Sequence, residues 1–249
     1  YPESTRYDLL RTDGLMKFMK EPYRLRQEIE VKKRNGTLRQ PVILDEVQKV
    51  PALLNEVQRL IEGHGLRFIL CGSSARKLKR SGVNLLAGRA IETRMFPLIY
   101  KELGADFDLT KQLQLGCLPM ALTGSNPEGY LHTYANTYLQ EEIRAEAVTR
   151  NIGAFSRFLE IAARQNGQVT NLNGIARDVA VPWSTVQNYF QILENTLIGY
   201  WLKPWKLKSA NKQVTHPKFF FFDHGLARAL SGRLAYPPTP EETGGLLET

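Results

Sequence analysis

Two adjacent carboxylates, Asp45 and Glu46, follow a short apolar run at residues 41–44. In an open parallel sheet, ligands bind beyond the carboxyl ends of the strands, so acids at that position indicate a ligand site. Such neighbours repel each other by about 1 to 4 kcal/mol at a 4 Å separation, and a cation such as Mg²⁺ removes that cost. We therefore expect Asp45 to hold Mg²⁺ through water, and Glu46 to orient or deprotonate the water that attacks a nucleotide γ-phosphate.

A second polar group follows the next apolar run, at residues 66–71. Gly72 allows the backbone to approach a ligand closely, and the hydroxyls of Ser73 and Ser74 can hydrogen-bond a phosphate. An apolar run that ends in Asp-Glu is also common where a strand meets solvent, so the acid pair alone does not decide between the two readings.

The chain between these runs has the periodicity of a helix. Its apolar residues at helical spacing are Leu53, Leu54, Val57, Leu60 and Ile61. A strand, a helix and a strand within about 30 residues form a βαβ crossover, which requires a parallel sheet with helices on its faces. The fold class expected for the first half is therefore a three-layer α/β domain that closes near a strand at residues 95–98.

The second half has a different pattern. A long helix is expected at residues 128–150, followed by three shorter helices and two extended segments. The short helices are expected at residues 154–165, 172–179 and 184–196, and the extended segments at residues 200–207 and 218–222. Three helices and then two strands are the order of a winged helix-turn-helix.

Residues 150–218 carry nine Lys or Arg and three acids, a local charge of +6 that suits an acidic partner such as DNA. Ser184 is the expected N-cap of the third helix. The residues expected to face the DNA major groove are Ser184, Thr185, Gln187, Asn188 and Gln191, and those expected to hold phosphates are Lys206, Lys208 and Lys212. Because that helix contains Glu194 and no Lys or Arg, contact with double-stranded DNA and contact with a protein partner both stay open.

Composition excludes several classes of protein. The 249 residues are 43% hydrophobic and 23% charged with a net charge of +8, which is unlike a disordered or fibrous chain. Two cysteines cannot build a disulfide framework, so a reducing cytoplasm is expected. No apolar run approaches the roughly 20 residues of a membrane span. The four histidines show no spacing typical of metal ligands, and no Ser/His/Asp or Cys/His combination is recognisable.

Three segments, VILDEVQKVPALL, RFILCGSSARKLKR and NLLAGRAIETRMFPLIYKEL, resemble a prokaryotic family of AAA+ type P-loop ATPases over residues 6–105. The resemblance implies that Asp45 and Glu46 are Walker B acids with ATP and Mg²⁺ as ligands, and that Ser73 or Ser74 is a sensor. It also implies that Arg89, in LAGR, reaches a neighbouring subunit's nucleotide in a homo-oligomer. The alternative for Arg89 is a surface arginine paired with an acid.

The phosphate-binding motif GxxxxGK[ST] of such ATPases is not found in this sequence. We expect the sequence to begin just downstream of a P-loop, and the chain as given to bind ATP weakly or not at all. The alternative interpretation is that the protein is a natural pseudo-ATPase. The leading hypothesis is an ATP-dependent switch that moves a winged helix, and the alternative is an inactive adaptor that binds DNA or protein.

The carboxyl-terminal sequence extends the resemblance. The segment from FSRFLEIAARQNG to GYWLKPW resembles the domain of unknown function that follows the ATPase in the same family. HPKFFFFDHGLARALSG and GGLLET resemble the opening of a nuclease-like module. We expect Asp223 to be a strand-end or helix-cap residue, Glu248 to be at most the module's first acid, and nuclease activity to be absent. The expected domains are residues 1–123, 124–215 and 216–249.

Overall fold

The computed structural model describes residues 1–72, 86, 88–91, 93–138, 151–204 and 216–249. The chain divides into two compact units, Tyr1–Thr93 and Arg94–Thr249. Within the described ranges, no helix combines the length and the apolar character needed to cross a membrane.

The first unit contains a parallel sheet of three strands in the order β1-β2-β3. The strands are β1 (Arg6–Asp8), β2 (Val42–Asp45) and β3 (Phe68–Leu70). In the central strand, Val42, Ile43 and Leu44 are all buried, as expected for a parallel strand covered on both faces. The expected α/β fold with a parallel sheet is confirmed for this part of the chain.

In the part of this unit that the structure describes, three helices accompany the sheet: α1 (Thr12–Lys20), α2 (Arg24–Arg34) and α3 (Leu53–His64). The crossover helix α3 buries most of its expected stripe: Leu53, Leu54, Val57 and Leu60 are almost fully inaccessible to solvent, and Ile61 is partly buried against the same core. Each such side chain stabilises the fold by about 1.5 to 3 kcal/mol. The helix ends at Gly65, which adopts the left-handed conformation that favours glycine at this position.

The second unit is mostly helical. Its helices are α4 (Tyr100–Leu103), α5 (Leu109–Leu115), α6 (Pro119–Thr123), α7 (Pro127–Thr133), α8 (Ile152–Arg164), α9 (Leu172–Val179), α10 (Trp183–Asn195), α11 (His224–Leu230) and α12 (Pro240–Leu247). Packed aromatic rings dominate its core, and Phe158 touches both Tyr189 and Phe190 at centroid distances of 5.2 and 4.8 Å. The three helices expected from the sequence are therefore α8, α9 and α10.

A small antiparallel sheet follows these helices. β4 (Gly199–Leu202) pairs with β5 (Lys218–Phe221), as the sequence predicts. On its other edge, Lys218 of β5 bridges Val169, which lies between α8 and α9. β5 is therefore flanked on both sides, and the polypeptide order is helix, bridge, helix, helix, strand, strand.

Two expected elements differ in the structure. Residues 95–98 form no strand, because Met95 is fully exposed and Pro97 lacks the N–H that a sheet ladder needs. The long helix expected from residue 128 begins as α7 and continues as a π-helix at Tyr134–Tyr138. Residues 139–150 of that prediction lie outside the described part of the chain.

The expected N-cap at Ser184 is also wrong. Helix α10 begins at Trp183, and the N-cap position is Pro182, which makes no side-chain capping bond. The ring of Pro182 fixes its φ at −58°, and its ψ of 146° is extended, so the chain enters the helix one residue earlier than expected. Ser184 consequently lies in the first turn of α10.

Candidate functional site

The acid pair lies at the carboxyl end of the central strand. Asp45 is the last residue of β2, and Glu46 starts a 3₁₀ turn, Val47–Lys49. Glu46 has the left-handed conformation (φ 57°, ψ 39°), which is costly for a residue with a Cβ and clusters at functional sites. The chain therefore leaves the extended conformation at Glu46, so the alternation of side chains along β2 does not continue to this residue.

Backbone hydrogen bonds join the three strand ends at this edge. Leu9 N donates to Asp45 O at 3.2 Å, Cys71 N donates to Leu44 O at 2.9 Å, and Val47 N donates to Cys71 O at 3.0 Å. The acid pair therefore lies beside the start of the segment that follows β3. Ser73 and Ser74, the expected sensor residues, lie outside the described part of the chain.

Gln48 joins Glu46 to that segment. Its side chain is 5% exposed, and its Nε2 donates a 2.7 Å hydrogen bond to Glu46 Oε2. A Cβ added to Gly72 would overlap Gln48 Oε1, so only glycine fits at that position without a shift. Sequence reasoning missed Gln48. The signal for it in the sequence is a polar residue between Val47 and Val50, both of which are buried.

The left-handed backbone at Glu46 yields a testable difference between two substitutions. Glu46→Gly and Glu46→Ala both remove the carboxylate and the Gln48 hydrogen bond, but only alanine keeps a Cβ in the left-handed region. We expect the glycine variant to unfold with a free energy about 1 kcal/mol higher than the alanine variant. Urea unfolding measures the difference. The same pair of substitutions at Glu62 in α3 is the control, where glycine should be the less stable by about 1 kcal/mol. Equal stabilities at Glu46 would contradict the backbone assignment.

The thiol of Cys71 responds to the acids. Burial is the main cause that raises the pKa of Cys71, the carboxylates of Asp45 and Glu46 raise it further, and Arg6 partly opposes them. Cys71 therefore stays protonated at neutral pH and is a poor nucleophile in this setting.

The carboxylates at this edge of the sheet fit a magnesium ion that is bound jointly by the protein and by a phosphate. In the parts of the chain that the structure describes, no three His, Cys, Asp or Glu side chains come together as a metal site. Mg²⁺ commonly uses one or two carboxylates, several waters and the phosphates of a substrate. Asp45 supplies one carboxylate, and Asp8, its register partner on β1, is engaged by Leu10 N at 2.8 Å.

Arg89 lies at the surface of the first unit. Its side chain is 43% exposed, and its Nη2 forms a 2.9 Å ion pair with Glu62 Oε1 on α3. An exposed pair of this kind contributes at most about 1 kcal/mol, so a phosphate can compete for the guanidinium.

Four of the residues expected to contact DNA share one groove. Ser184, Gln187, Asn188 and Gln191 of α10 line a groove of about 560 Å³ together with Trp201, Lys203, Leu172 and Pro217. Trp201 packs against Phe190 and Phe219 at ring-centroid distances of 4.7 and 5.0 Å, so it also belongs to the core. Thr185 is not among the lining residues, and Lys206, Lys208 and Lys212 lie outside the described ranges.

Asp223 caps a helix, which is one of the two roles that the sequence predicts for it. It is 2% exposed at the N-cap of α11, where Oδ1 accepts from Leu226 N at 2.9 Å and Oδ2 accepts from Cys117 N at 2.7 Å. Burial raises the pKa of Asp223, while the nearby His224 and these backbone hydrogen bonds act to lower it. Glu248, the other acid considered, accepts from Lys218 Nζ at 2.9 Å.

Two family models match the chain. Residues 6–104 match the model described as an AAA domain, and residues 106–235, more than half of the chain, match the model described as a domain of unknown function, DUF8612. The chain belongs to the DUF8612 family. In this DUF8612 protein, an AAA domain of the P-loop NTPase type thus precedes the family domain, which confirms the expected order of ATPase-like core and domain of unknown function.

Curated relatives of this DUF8612 protein share about a quarter of their residues with it. Uncharacterized proteins of Mycobacterium tuberculosis and Mycobacterium bovis are each 25% identical over 207 residues, which cover 80% of this chain and 47% of theirs. An uncharacterized protein of Haemophilus influenzae is 24% identical over 209 residues, which cover 77% of this chain and 52% of its own. The chain spans about half the length of these relatives. No solved structure matches it.

Proposed function

We propose that the AAA domain binds Mg–ATP at the carboxyl edge of its sheet and hydrolyses it. One observation carries the proposal: Asp45 ends the central strand, Glu46 follows it, and both lie beside Cys71 and Gly72, the two residues that follow β3. The match of residues 6–104 to an AAA domain supports a nucleotide as the ligand. Ligands of open parallel sheets bind at this edge.

Each side chain has a distinct part in the proposed reaction. Asp45 would hold Mg²⁺, which would offset the charge of the phosphates, and Glu46 would orient the attacking water and accept its proton. The new bond joins that water's oxygen to the γ-phosphorus, the bond from the γ-phosphorus to the bridging oxygen breaks, and ADP leaves with that oxygen. Ser73 and Ser74 hydrogen-bond the phosphate. Arg89 stabilises the developing charge, after exchanging Glu62 for a phosphate on a neighbouring subunit of a homo-oligomer.

Steady-state release of phosphate from Mg–ATP by the full-length protein tests this function. We expect turnover that requires Mg²⁺ and depends on Glu46. Equal rates for the wild-type protein and Glu46→Gln would remove the catalytic role and would favour the alternative, an inactive adaptor that binds a partner through its second unit.

The second unit is proposed to contact double-stranded DNA through α10 in a winged helix-turn-helix. The polar groove on α10 supports this function, as does the order of three helices followed by an antiparallel pair whose β5 also bridges Val169. The local charge of +6 at residues 150–218 suits a polyanion. In the proposed switch, a change in the nucleotide bound to the AAA domain changes the orientation of this unit.

DNA binding is tested by titrating duplex DNA at several salt concentrations. We expect log affinity to fall linearly with log salt, by about 0.9 for each phosphate that a lysine neutralises. Replacing Lys206, Lys208 and Lys212 by alanine should reduce the magnitude of that slope by about 2.7. The matched control replaces Lys20, Lys33 and Lys101, which should leave the slope unchanged. Negligible affinity even at low salt would retire the DNA function and favour a protein partner.

A further inference from the structure

A buried carboxamide next to a catalytic acid requires an explanation. Gln48 lies in the 3₁₀ turn after Glu46, between the buried side chains of Val47 and Val50. Taking a polar side chain out of water costs about 1 to 3 kcal/mol when its hydrogen bonds are not replaced. An apolar residue of similar volume would fill the same space without that cost, so packing alone does not account for a glutamine here.

The two ends of Gln48 face two parts of the proposed site. Nε2 donates to Glu46 Oε2 at 2.7 Å, a short bond of the kind that a charged acceptor makes. Oε1 lies so close to Gly72 that a Cβ there would overlap it. Gln48 therefore spans the distance from Glu46, the residue after β2, to Gly72, which follows β3.

Glu46 depends on this contact for its orientation. In the part of the chain that the structure describes, Gln48 provides the hydrogen bond to the Glu46 carboxylate, and it engages Oε2. The left-handed backbone at Glu46 turns the side chain away from the strand direction. The other oxygen, Oε1, remains to accept a proton from water.

We propose that Gln48 is the positioning residue for Glu46 and links it to the Gly72 segment. The hydrogen bond fixes one carboxylate oxygen, so that the other is presented in one orientation to the attacking water. This inference rests on the proposed hydrolysis of Mg–ATP. The alternative is that Gln48 is purely structural and only fills space.

The contact is tested first without nucleotide, in the 249-residue chain. In ¹⁵N NMR spectra, we expect Glu46→Ala to shift the side-chain NH₂ resonances of Gln48 and to leave those of Gln40 in place. Gln40 is a matched control because it joins the opposite ends of the same two strands, its Oε1 accepting from Arg67 N at 3.0 Å. Unshifted Gln48 resonances would overturn the proposal whatever the ATPase result.

The positioning role is tested next by kinetics of the full-length protein. We expect Gln48→Leu to lower kcat by about 10- to 100-fold with KM for ATP unchanged, because a misplaced carboxylate impairs the reaction and not the binding of nucleotide. Gln40→Leu should keep the wild-type kcat, and urea unfolding should show that Gln48→Leu is at least as stable as the wild-type protein.

Three outcomes separate the possibilities. An unchanged kcat in Gln48→Leu, with an active wild-type protein, would overturn the positioning role while the proposed function stands. A parallel loss of kcat and stability would also overturn it, since Gln48 would then be structural. A wild-type protein with no turnover would overturn the proposed function itself and the positioning role with it, and an NMR contact that persists would then identify Gln48 as structural.

Discussion

Glu46→Gln is expected to slow the hydrolysis of Mg–ATP by about 10²- to 10⁴-fold, the range over which a positioned general base contributes. Glutamine has the size of glutamate, and its side-chain oxygen can still accept the hydrogen bond from Gln48 Nε2. It cannot take a proton from water at neutral pH. The local geometry and the affinity for ATP should therefore survive while turnover is lost.

The measurement pairs steady-state phosphate release with ATP binding by calorimetry in the full-length protein. Glu28→Gln is the matched control, because Glu28 on α2 is a carboxylate of the same unit that pairs with Lys17 at 2.7 Å. It should keep both activities. A Glu46→Gln variant that loses binding together with turnover would show that Glu46 holds the site together rather than acting on water.

Asp223→Ala is expected to lower the free energy of unfolding of the second unit by about 3 kcal/mol. The N-cap bond to Leu226 N is worth about 1 kcal/mol, and leaving the N–H of Cys117 without its acceptor costs about 1 to 3 kcal/mol more. Both bonds converge on one carboxylate that is almost fully buried. The loss should therefore exceed that of an ordinary helix cap.

Asp108 provides the comparison for this prediction. It caps α5 at the surface through one bond, Lys111 N to Oδ1 at 3.1 Å, so Asp108→Ala should cost only about 1 kcal/mol. Tryptophan fluorescence during urea unfolding reports the second unit, since Trp183, Trp201 and Trp205 all follow residue 94. Equal losses at Asp108 and Asp223 would contradict the double role of Asp223.

The sheet and its crossover were predictable because local pattern and tertiary burial agree there. Val42, Ile43 and Leu44 form a continuous apolar run and are buried on both faces of the central strand. The stripe on α3 follows the helical period and is the stripe that the core covers. The position of Asp45 at the strand's end followed directly from the run that precedes it.

The orientation of Glu46 was beyond sequence reasoning. Alternation along a strand applies only while the chain stays extended, and the structure bends into the left-handed region at Glu46 itself. Glutamate has no intrinsic preference for that conformation, so tertiary contacts impose it. Gln48 was not predicted for a related reason. Its role depends on a close contact between its side chain and Gly72, which is 24 positions later in the chain.

Wrong predictions arose where a residue type occurs in more than one kind of local structure. Ser184 is a favourable N-cap by type, but Pro182 sets the turn and the helix begins at Trp183. Residues 95–98 have the composition of a strand, yet the side chains of Met95 and Phe96 are exposed and form no ladder. The sequence left two roles open for Asp223, a strand end or a helix cap, and its burial and its bond to Leu226 N identify the cap.

The proposed function requires that one metal–triphosphate binds at the carboxyl edge of the sheet. Mn²⁺ tests this binding most directly, because it accepts the same carboxylate and water ligands as Mg²⁺ and broadens the NMR signals of nearby nuclei. When Mn²⁺ and ATP are added to the full-length protein, we expect the amide resonances of Asp45, Glu46 and Gly72 to broaden first. Those of Gln40 and Arg67, which precede β2 and β3 at the opposite edge of the same sheet, should be the last to broaden, and Asp45→Asn should abolish the effect. Broadening that is centred elsewhere, or that persists unchanged in Asp45→Asn, would contradict the proposed site.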